Sequence, residues 1–94
     1  MSSASLDSER TVVIRNAYGL HARPAAEFVK VANRFESEIL VCRDELEVNG
    51  KSIMGVMMLA AEHGTEITVR ATGPDAAEAV DALTALVESG FGEE

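Results

Sequence analysis

The sequence predicts an α+β domain in two layers: a four-stranded antiparallel sheet with helices packed on one face. Three observations predict it. Short β-branched runs, RTVVIR, SEILVCR and TEITVRA, read as strands. Apolar residues recur at helical spacing over 22–33 and again over 72–89. The two patterns interleave in the order βαββαβα, with a tight turn between the second and third strands that makes that pair antiparallel.

Each element has its own signals. Residues 1–9 (MSSASLDSE) are small and polar and read as a flexible tail, so the single domain is assigned to 10–94. Residues 10–15 form the first strand, and NAYG stops it. Residues 22–33 place Ala25, Phe28, Val29 and Ala32 on one helical face and Glu27, Lys30 and Asn33 on another. Residues 37–43 form the second strand. DELEVNG (44–50) gives a turn and a short third strand, closed by Asn49-Gly50. Ser52 opens a short apolar helix, SIMGVMMLA, and His63 lies at its polar end. Residues 65–71 alternate, with Ile67, Val69 and Ala71 on one face. The last helix begins at Gly73-Pro74, stripes Val80, Leu83 and Val87, and stops at Gly90.

Composition excludes several function classes. Ninety-four residues make one domain. The net charge of −8 argues against binding nucleic acid by phosphate neutralisation. Residues 62–94 hold eight acids and one base, Arg70, whereas Arg23, Lys30, Arg34 and Lys51 lie earlier, and Arg23, Lys30 and Lys51 can form a basic face for an acidic partner. No apolar run approaches the ~20 residues needed to span a membrane, and the first ten residues lack the apolar stretch of a signal peptide. The lone Cys42 excludes an internal disulfide and reads as a free structural thiol in a reducing cytoplasm.

The chemistry concentrates in GLHARPA. His21 precedes a helix, where Ser, Thr, Asp, Asn or Gly caps better. A helix N-terminus offers free N–H groups and about +0.5 of an elementary charge, so it favours an anion and disfavours an imidazolium. A neutral imidazole there is a nucleophile fit to accept a phosphoryl group. The added oxygens would meet the free amides of Ala22 and Arg23, and the Arg23 guanidinium folded back over the helix end. Pro24 falls in the first turn, where a missing N–H costs little. A second reading, in which His21 only caps the helix or packs on the sheet, fits these residues equally well. No Cys, His or carboxylate set has the spacing of a metal site, and no strained nucleophile motif of a hydrolase is present.

Two segments, GLHARPAAEFVKVANRF and NGKSIMGVMMLAAEHGTEITVRATGPD, together resemble the HPr family, the histidine-containing phosphocarriers of the bacterial phosphoenolpyruvate-dependent phosphotransferase system. The likeness covers roughly residues 10 to 90. It implies the open-faced βαββαβα sandwich. It also implies that His21 accepts a phosphoryl group on Nδ1 from Enzyme I and passes it to IIA domains, with Arg23 stabilising the phosphoryl oxygens. No cofactor and no enzymatic turnover are implied. The tail ALVESGFGEE is similar to the nitrogen-branch variant, whereas KSIMGVMMLA is similar to members modified on serine by HPr kinase/phosphorylase; the branch stays open.

Ser52 is explained by N-capping alone, and the resemblance adds regulatory phosphorylation. The short helix is apolar nearly all round, so some of it must be exposed. By analogy with the family it resembles, Ile53, Met54 and Met57 are read as a docking patch for several partners, rimmed by Lys30 and Lys51. The expectation is a cytoplasmic, monomeric phosphocarrier. Its rivals are a purely regulatory HPr-like protein acting through Ser52, and a small-molecule-binding α+β module without phosphate chemistry.

Overall fold

The computed structural model describes residues 7–93. Four strands, β1 (Asp7–Val13), β2 (Glu38–Arg43), β3 (Leu46–Asn49) and β4 (Glu66–Thr72), alternate with three helices, α1 (Ala22–Ala32), α2 (Ile53–Met58) and α3 (Ala76–Glu88). The order is the expected one. The strands lie β1-β4-β2-β3, and every neighbouring pair is antiparallel. A 3-10 turn at Gly90–Gly92 follows α3.

The alternation in the strands decides which side is covered. Ile39, Val41, Ile67 and Val69 are buried beneath Phe28 of α1 and Val80, Leu83 and Val87 of α3. Phe28 is fully buried; truncating such a side chain to alanine typically costs about 3–5 kcal/mol. The opposite face of the sheet is open. There Arg70 donates to Glu9 of β1 (3.0 Å) and Glu47 of β3 (3.1 Å), spanning the strands, and the hydroxyls of Thr11 and Thr68 pair at 2.9 Å. Cys42 lies on this open face, its thiol 3.6 Å from a Glu47 oxygen, rather than in the core. Burial raises that thiol above its ordinary value and Glu47 adds to the effect, while Arg70 opposes it.

The first strand differs most from the sequence reading, while α3 starts later, at Ala76, and α2 stops earlier, at Met58. β1 begins at Asp7 and ends at Val13, so Asp7, Ser8 and Glu9 belong to the sheet rather than to a tail. They pair with Thr72, Ala71 and Arg70. Being polar on an edge strand, they show no hydrophobic period; backbone bonds and the Glu9–Arg70 pair hold them. Residues 1–6 of the expected tail lie outside the described residues. Ile14 has left the ladder but donates to Thr65 O (2.9 Å) and accepts from Gly64 N (2.8 Å).

The loops that set the helix starts are tied down. The Asp75 carboxylate accepts from the backbone N–H groups of Glu36 and Ser37, both at 2.9 Å, and from the Ser37 hydroxyl, so it fastens the α1–β2 loop to the start of α3. The Ser37 hydroxyl and these amides hold the Asp75 carboxyl below its ordinary value. α2 is too short to persist alone. Ser52 Oγ accepts from Gly55 N (3.0 Å) at its start, and Arg43 Nη1 donates to Leu59 O (2.9 Å) and Ala60 O (2.8 Å) at its end.

Candidate functional site

His21 is the N-cap of α1 in extended backbone, and its side chain makes no capping hydrogen bond. The imidazole therefore turns outward. The loop before it is fixed at Gly19, whose φ of 68° is left-handed and where a Cβ would fall 2.3 Å from Ala61 O. Leu20 N donates to Ala61 O at 2.9 Å, so the chain enters α1 at one angle only.

The imidazole meets the other end of the chain. Its Nε2 lies 3.3 Å from Oε1 and 3.2 Å from Oε2 of Glu93. Asn16 Nδ2 donates to the same Oε1 at 3.0 Å and to Gly19 O at 2.7 Å. Burial opposes the charged form of Glu93, but the hydrogen bonds from His21 and Asn16 and the charges of His21 and Arg23 outweigh it and hold its carboxyl below the ordinary value. A carboxylate accepts, so Nε2 carries the proton and a neutral ring has its lone pair on Nδ1. Nδ1 has no hydrogen-bond partner among the described residues. Tyr18 stands edge-on to the ring, with centroids 6.2 Å apart and planes at 88°. Ala17, Tyr18, His21, Arg23, Gly92 and Glu93 enclose an open cavity of about 300 Å³. Arg23 is thus on the same cavity as His21, although two residues apart on a helix do not face each other.

The model of the PTS HPr component phosphorylation site matches residues 8–89. The chain belongs to the HPr family. It is 48% identical over 85 residues to the phosphocarrier protein HPr of Neisseria meningitidis serogroup A, covering 90% of this chain and 96% of that protein. It is 49% identical over 80 residues to the HPr-like protein Crh of Bacillus subtilis, covering 85% of this chain and 94% of that protein. Among solved structures, HPr of Thermoanaerobacter tengcongensis superposes with a TM-score of 0.89 at 50% identity, covering 93% of this chain and 98% of that one; an HPr dimer from the same organism gives 0.74 at 50% identity, covering 92% and 99%.

The other residues singled out in this HPr-family chain fall elsewhere. Lys30 is in the last turn of α1, on the same face as Arg23 and about 10 Å along the axis. Lys51 is half-buried, its Nζ donating to Phe35 O at 2.6 Å, so it is tied to the loop after α1 rather than standing free. Ser52 is half-buried at the head of α2. Ile53, Met54 and Met57 are exposed (44%, 75% and 41%), as read from the sequence, and so is Met58 (66%), which that reading passed over. Only Val56 of α2 is buried. Three members of the His21 site escaped sequence reasoning: Glu93, Asn16 and the 82% exposed Tyr18. The glycines on either side of Phe91 were a usable sign that the chain turns back after α3. No group of His, Cys, Asp and Glu among the described residues is arranged to hold a metal ion, and no helix there is long and apolar enough to cross a membrane.

Proposed function

We propose that this HPr-family protein is a phosphocarrier of the phosphotransferase system, which accepts a phosphoryl group from Enzyme I on Nδ1 of His21 and passes it to IIA domains. The observation that carries this reading is the placement of His21 at the N-terminus of α1, with Nε2 engaged by Glu93, Nδ1 without a partner among the described residues, and Arg23 on the same cavity. The Nδ1 lone pair attacks phosphorus. The amides of Ala22 and Arg23 and the Arg23 guanidinium receive the oxygens through charge-assisted hydrogen bonds. The protein turns over no substrate of its own; it is the covalent intermediate between two enzymes. A relay must leave each partner, so its interfaces are small and short-lived, and the exposed Ile53, Met54, Met57 and Met58 supply an adaptable apolar patch. The carrier acts as a monomer, which sedimentation checks directly.

Incubation with phosphoenolpyruvate and Enzyme I should give one acid-labile, base-stable phosphate per chain, because phosphoramidates break in acid whereas phosphoesters do not. His21→Ala should lose the label and keep its circular dichroism spectrum. A label retained in that variant overturns the assignment.

The likeness of KSIMGVMMLA to family members modified on serine favours a second reading, regulation through Ser52. A phosphate there would be added next to the exposed Ile53 and Met54, where a partner docks. A chain that takes phosphate on Ser52 from HPr kinase/phosphorylase but none on His21 from Enzyme I would favour that reading over the carrier.

A further inference from the structure

We propose that Arg43 is a positioning residue for docking: its guanidinium clamps the C-terminal end of α2 and holds the exposed face of Ile53, Met54, Met57 and Met58 in a fixed place relative to His21. The inference rests on the proposed carrier function, in which that face meets Enzyme I.

Little else holds α2. It is six residues long, and Val56 is its one buried side chain. Its start has the Ser52 hydroxyl on Gly55 N, but its last turn has no basic residue of its own. A helix C-terminus presents free carbonyls and a partial negative charge, so a cation there is favourable. Arg43 supplies it from the sheet. It is the last residue of β2, two beyond the buried Val41, and so lies on the helix-covered face. One nitrogen, Nη1, donates to both Leu59 O (2.9 Å) and Ala60 O (2.8 Å). Among the described residues the one carboxylate within reach of Arg43 is that of Asp44, at 4.0 Å; its side chain is 91% exposed, so it competes weakly.

The clamped segment also leads to the acceptor. Ala60 has a left-handed φ of 50°, unfavourable for a residue with a side chain, and the two clamped carbonyls bracket that turn. One residue on, Ala61 O accepts from Leu20 N at 2.9 Å, and Leu20 immediately precedes His21. Residues 59–61 thus join the docking helix to the loop that presents the imidazole, and Arg43 anchors them to the sheet. Without the clamp α2 keeps its N-terminal cap and Val56 but is freed at the other end, where Met57 and Met58 lie. A partner then meets a docking-competent face for only part of the time, and its apparent affinity falls by that fraction.

Two measurements on Arg43→Met, which keeps an apolar stem and removes the donors, test the proposal. The first is amide hydrogen exchange. The N–H groups of Leu59 and Ala60, bonded to Val56 O and Met57 O, should exchange about tenfold faster than in wild type, with the amides of β4 unchanged. Exchange that quickens everywhere alike, or at neither amide, overturns the clamp. The second is phosphorylation of His21 by Enzyme I. The apparent KM should rise about fivefold, with the maximal rate within about twofold of wild type. Arg43→Lys, which restores a cationic donor, should recover most of the KM. An unchanged KM, a loss confined to the maximal rate, or a lysine variant no better than methionine overturns the positioning role. Global unfolding of Arg43→Met in circular dichroism would assign the two bonds to stability and overturn it as well. If wild type accepts phosphate and both variants match it, only this proposal falls. If wild type accepts none, the carrier reading falls and takes the docking role with it, whatever the exchange shows.

Discussion

Arg23 sits exposed in the first turn of α1, on the cavity beside His21, with no carboxylate within salt-bridge distance among the described residues. Under the proposed carrier function its value lies in transfer rather than in stability. Arg23→Lys keeps the charge and loses the planar fork that binds two phosphoryl oxygens at once; slower phosphorylation by Enzyme I is expected, with the midpoint of unfolding within a degree or two of wild type. Asp75 is the reverse case. Its carboxyl is held below its ordinary value by the Ser37 hydroxyl and the backbone amides of Glu36 and Ser37, so the folded state binds that proton less readily than the unfolded state. The stabilisation is present above the ordinary carboxyl range and is lost as pH falls through the folded value. Thermal melts of Asp75→Asn should lie below wild type at neutral pH, and the gap should close in acid. At this scale the His21 and Arg23 pair was legible, because a histidine, an arginine and a proline at a helix start are neighbours in sequence. Glu93 was not: the contact spans 72 positions, and the glycines around Phe91 signal a turn but not what the turn meets.

The elements were legible wherever one face is apolar and the period clear. α1, α3 and β4 stand close to where their patterns put them. β1 shifted because it is an edge strand whose first part carries polar side chains, and pairing there is backbone work that leaves no hydrophobic signature. α2 shows the opposite limit. Its apolar residues mark a helix but not which side is buried, since Val56 alone turns inward. Its ends are fixed by groups from outside, Ser52 and Arg43. Ser52→Ala removes the bond to Gly55 N and should cost about 0.5–2 kcal/mol in denaturant melts, while His21 accepts phosphate nearly normally. Ser52→Asp places a negative charge beside Ile53 and Met54, on the surface proposed to meet Enzyme I. It should raise the apparent KM for Enzyme I, and added salt should narrow the difference from wild type. Phosphorylation of Ser52→Asp at the wild-type rate in low salt would return Ser52 to being a cap alone.

The whole molecule has an arrangement that no single element foretells. The sequence predicted four antiparallel strands beneath helices, but not that β4, the last strand made, lies between β1 and β2. While the chain is being synthesised, β1 has no strand to pair with and β2 has only β3 until residues 66–72 have emerged. Short hairpins are marginal on their own. A nascent chain therefore has no partial sheet to rest on, and folding waits for one late event that closes contacts across some sixty residues. A fragment ending at Gly64 should accordingly show the circular dichroism of an unfolded chain, and supplying 65–94 as a separate peptide should restore the sheet. The interval before that closure is when Val12, Ile39 and Val41, all buried at the end, stand open to chaperones and to one another.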